Sequence, residues 1–86
     1  MTAPPRKVLP FLETLCGKLD KIFVVEVGPF GEFVVKEVRE RWIEAGPRTR
    51  PADIEEYVRM LAEEIPETRQ RAEFIARARD LLGRYR

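Results

Sequence analysis

The sequence predicts an all-α protein, a small helical bundle of four to five helices with a sharp Gly-Pro corner. Three observations carry that expectation. Apolar residues recur at three- and four-residue steps, and prolines and glycines cut this pattern into segments of helical length. Acid-before-base pairs at i, i+4 line the second segment, in the order that supports a helix. An α+β alternative, with a β-hairpin at residues 22–37, competes only for the middle of the chain.

In the first segment, Val8, Phe11, Leu12, Leu15, Cys16 and Leu19 form one face of an amphipathic helix. Pro10 fits only in a first turn, which places the helix start close to it. Gly17 weakens the segment by about 1 kcal/mol relative to alanine.

The middle is ambiguous. The runs Ile22 to Val27 and Glu32 to Lys36 are rich in β-branched residues, and Gly28-Pro29-Phe30-Gly31 between them has hairpin-loop length. Against the hairpin, Phe30, Val34, Val38, Trp42 and Ala45 keep helical spacing. Glu32 to Lys36 and Glu37 to Arg41 are i, i+4 pairs, and Gly46-Pro47 supplies a helix stop. The chain after Phe30 therefore reads as a helix, while residues 22–27 stay open between strand and helix.

The last part is clearer. Pro51 suits a first-turn position, and Asp53 and Glu55 complement the helix dipole. Ile54, Tyr57, Val58, Leu61, Ala62 and Ile65 form one stripe. A final helix after Pro66 carries Phe74, Ile75, Ala78, Leu81, Leu82 and Tyr85. The short connection Ile65-Pro66-Glu67 predicts that the two fold back as an αα-hairpin. Residues 1–7 read as a disordered N-terminal tail, and residues 8–86 as a single helical domain.

Composition narrows the function. A chain of 86 residues with 44% apolar content suits one globular domain. Its first residues lack the pattern of a signal peptide, and its longest apolar run, near Ile22 to Val27, is too short to span a membrane. One cysteine, Cys16, excludes an internal disulfide and fits a reducing, cytoplasmic setting as a buried small hydrophobe. Charged residues make up 36% of the chain for a net charge of +1, a thermophile-like composition.

The chain contains no histidine, which removes the usual general base, triad partner and metal ligand together. One cysteine cannot complete a zinc site. Gly28-Pro29-Phe30-Gly31 is no phosphate cradle, because proline lacks the N–H that such a loop needs. The adjacent pairs Glu55-Glu56 and Glu63-Glu64 point apart on a helix and are solvated faces. The expectation is a protein without enzymatic activity, cofactor, metal or small-molecule substrate.

Arginines gather near the C-terminus at Arg69, Arg71, Arg77, Arg79, Arg84 and Arg86. Acidic residues one turn earlier pair with several: Glu73 with Arg77, Asp80 with Arg84, and Glu55 with Arg59 on the preceding helix. With a near-neutral chain, this argues against nucleic-acid binding, which stays the alternative reading: a small nucleic-acid-associated regulator using this arginine-rich helix. The aromatic contact candidates are Phe30, Phe33 and Trp42. Trp42 lies in line with the apolar stripe, and Phe30 either caps the core or stands exposed as an interface anchor. Gly28, Pro29 and Gly31 are read as the structural corner, a stop and restart after which Phe30 begins the buried face.

The run Val27-Gly28-Pro29-Phe30-Gly31, then Val34-Val35-Lys36, then Asp53-Ile54, Leu61-Ala62-Glu63-Glu64-Ile65-Pro66 and Arg71-Ala72-Glu73-Phe74 resembles a small domain of bacterial signalling proteins. That domain is appended to serine/threonine kinases and other multidomain regulators, and the resemblance covers residues 21–82. It implies a helical, non-catalytic accessory module with helix on both sides of the corner. The expected function is a protein–protein interaction or oligomerisation module in bacterial signalling or regulation, whose partner is another protein or a second copy.

Overall fold

The computed structural model describes residues 8–85; the expected tail at residues 1–7 lies outside them. Four helices follow in order: α1 (Pro10–Val27), α2 (Gly31–Glu44), α3 (Ala52–Glu63) and α4 (Thr68–Gly83). The described residues contain no strand, only an isolated parallel bridge between Val8 and Arg48. The protein is an all-α bundle.

Helix α1 starts with Pro10 in its first turn, where a missing N–H costs nothing. It runs unbroken through Ile22 to Val27, so the β-hairpin at residues 22–37 does not form. Leu12, Leu15, Cys16, Leu19 and Phe23 make one continuous buried stripe. Extending that stripe to Phe23 outweighs the strand preference of the valines, which lie half-buried or exposed beside it.

The corner needs glycine at two places. Gly28 ends α1 with its N–H donating to the Val24 carbonyl at 2.8 Å, at a φ of 93° that other residues rarely adopt. Gly31 opens α2 against α1 so closely that a Cβ there would stand 2.7 Å from Val27 Cγ2 and 3.2 Å from Val24 Cα. The two helices are pinned at this end by the absence of a side chain.

Helix α2 buries Gly31, Val38 and Trp42, with Val34 and Val35 half-buried at the sides. Helix α3 buries Ile54, Tyr57, Val58, Leu61 and Ala62, and α4 contributes Phe74 and Ala78. Phe74 meets Phe23 edge-on, with ring centroids 5.5 Å apart. The connection Ile65-Pro66-Glu67 returns α4 along α3, with the Glu67 carboxylate accepting from the N–H groups of Arg69 and Gln70.

Helices α1 and α3 occupy the centre, each packed on the other three. Helices α2 and α4 lie on the two flanks and do not meet. The bundle therefore presents two separate outer surfaces, one along α2 and one along α4.

Candidate functional site

The corner projects its aromatics outward. Phe30 is 81% exposed and Phe33 72%, and Val25 near the end of α1 is 74% exposed. Phe30 is thus not the start of the buried face; that role belongs to Gly31, whose contact with Val24 and Val27 leaves no room for a larger residue. Phe33 stands about two and a half turns before Trp42 and so points the opposite way. Phe30 and Phe33, three residues apart, share one exposed face.

Trp42, the third aromatic candidate, is fully buried and is no contact residue in this structure. Its indole N–H donates to the Asp53 carbonyl at 2.9 Å, and its ring lies 5.1 Å from that of Tyr57. Above it sits a cluster that sequence reasoning missed. The Arg48 guanidinium stacks over the indole at 5.1 Å and donates to the Trp42 carbonyl at 2.6 Å and to Glu56 Oε2 at 2.8 Å. The arginine side chain is only 7% exposed, and its second terminal nitrogen is buried without a partner. The Asp53 carboxylate accepts from the Arg50 and Thr49 N–H groups at 2.9 and 3.0 Å. These backbone bonds, the Arg50 one foremost, with Arg50 and Arg48 nearby, hold its pKa below the usual carboxylate range. Asp53 lies in the first turn of α3, where its carboxylate also suits the helix dipole, a placement legible in the sequence. Arg48 in a loop carries no such signal.

A second polar cluster joins three helices. Asp20 of α1 accepts from the Tyr57 hydroxyl of α3 at 2.5 Å and from Arg39 of α2 at 2.5 Å. Arg39 Nε also donates to the Tyr57 oxygen at 3.2 Å. Burial pushes the Asp20 pKa up, against the opposing pull of the Tyr57 hydroxyl and Arg39. Tyr57 is raised as well, first by burial and then by its bond to Asp20. Cys16 next to this cluster is fully buried, and burial raises its thiol to about 12, which keeps it in the unreactive protonated form. Both carboxylate oxygens of Asp20 are occupied from within the protein. The cluster is built as a clamp.

The α4 arginines are mostly engaged, though not always as the spacing suggested. Arg84 pairs with Asp80 at 3.0 Å. Arg77 turns to Glu26 of α1 at 3.9 Å, while Glu73 lies 3.8 Å from Arg69. Arg59 pairs with Glu63 at 2.8 Å and lies 3.8 Å from Glu56. Arg41 reaches Glu64 across to α3 at 3.4 Å. Arg71 donates to the Ile65 and Pro66 carbonyls at 2.9 and 3.3 Å, closing the C-terminal end of α3. Arg79 has no partner among the described residues, and Arg86 lies outside them.

Between α3 and α4 runs a groove of about 730 Å³. Val58, Ala62, Ile75 and Leu82 line it, with Arg71 and Arg79 on its α4 rim. Among the described residues, no three His, Cys, Asp or Glu side chains converge as a metal site, and no helix is long and apolar enough to cross a membrane.

A family model matches residues 11–86, all four helices and the corner between the first two. The chain belongs to the family described as Domain of unknown function (DUF8082). Comparison with curated proteins and with solved structures finds no match. The family thus spans both polar clusters, the exposed aromatic pair and the α3–α4 groove, and the functional reading rests on these surfaces.

Proposed function

We propose that this chain is a non-enzymatic helical interaction module of bacterial signalling or regulation, contacting a protein partner through the α1–α2 corner. The observation that carries the reading is the pair Phe30 and Phe33, both strongly exposed on a helix start that Gly31 locks against α1. A large apolar side chain on a rigid support loses little entropy on binding, which is why aromatic anchors dominate interface energetics. The resemblance to accessory domains of kinases and other regulators supplies the process. The buried, protonated Cys16 suits a reducing cytoplasm.

The nucleic-acid alternative gains little support, because Arg69, Arg77 and Arg84 each have an acidic neighbour and Arg71 is spent on carbonyls. The interaction reading is tested with a photocrosslinking phenylalanine analogue at position 30 in cells. The expected result is a discrete adduct, identified by mass spectrometry, that excess wild-type protein competes away and the F30S/F33S variant does not. Equal competition by the two proteins would show that the corner is not the contact.

A further inference from the structure

We draw no further inference here: the strongest candidate, the apolar groove between α3 and α4, is bordered by Glu55 and Glu63 as well as Arg59, Arg71 and Arg79, so its charge selects no occupant, and nothing in the structure shows what covers it.

Discussion

Two clusters in this bundle use the same three chemical groups to different ends. Asp20, Arg39 and Tyr57 join α1, α2 and α3, while Asp53, Arg48 and Trp42 close the loop between α2 and α3. In each, an arginine lies over an aromatic ring, at 5.4 Å for Arg39 on Tyr57 and 5.1 Å for Arg48 on Trp42. The carboxylates part company. Asp53 is met by two backbone N–H groups whose positions the loop already fixes, so its charge is welcome. Asp20 is satisfied by two side chains but sits among apolar neighbours, and desolvation prevails. An aspartate beside an arginine and an aromatic ring is stabilised as an anion in one place and resisted in the other because backbone donors come preorganised and side-chain donors do not.

The largest effect that could break this contrast is expected at Arg48. Arg48→Ala removes a buried guanidinium from the Trp42 carbonyl, Glu56 and the indole face, and is expected to cost about 3 kcal/mol of unfolding free energy. Arg48→Lys keeps the charge without the planar fork and should recover less than half. Denaturant titration checks both. Tyr57→Phe deletes only the hydroxyl shared by Asp20 and Arg39, at about 1–2 kcal/mol. If Tyr57→Phe proved as costly as Arg48→Ala, the three-helix cluster would be the equal of the loop cluster.

The pH dependence sharpens the comparison, because the two carboxylates act in opposite senses. The folded protein holds the Asp20 proton more tightly than the unfolded chain does. Its contribution is full below the ordinary carboxylate pKa of 3.8 and is lost as pH rises through the raised folded value. Asp53 behaves in reverse: its contribution is present above 3.8 and is lost as pH falls through the lowered folded value. Unfolding free energies measured from about pH 2 to about pH 7 should therefore gain slope in opposite directions in Asp20→Asn and Asp53→Asn, which remove these terms separately. Changes of the same sign would refute the assignment. The smallest effect is expected at the corner surface, where F30S/F33S should alter stability by less than about 0.5 kcal/mol although it abolishes the proposed contact.

Much of the fold was legible because helices announce themselves locally. The α3–α4 hairpin follows from two apolar stripes and a three-residue connection, and Pro10 marks the start of α1. The middle was not legible in the same way. Ile22 to Val27 satisfies strand propensity and helical spacing at once, and only packing of Phe23 against Phe74 from a distant helix separates the two. Acid–base spacing foretold the Asp80–Arg84 pair but not those of Arg41 and Arg77. Those long side chains reached Glu64 and Glu26 on neighbouring helices, which no local pattern describes.

The sequence by itself determined the α3–α4 hairpin, the start of α1 and the glycine-proline corner, because periodicity and proline placement are properties of residues read in order. Only the tertiary structure decided that Phe30 and Phe33 face solvent while Trp42 is sealed beneath Arg48. It also decided that two unlike surfaces lie on opposite flanks. The reason is physical: which side of a helix is buried depends on what packs against it, and Gly31 permits α2 an approach to α1 that leaves the corner aromatics outside.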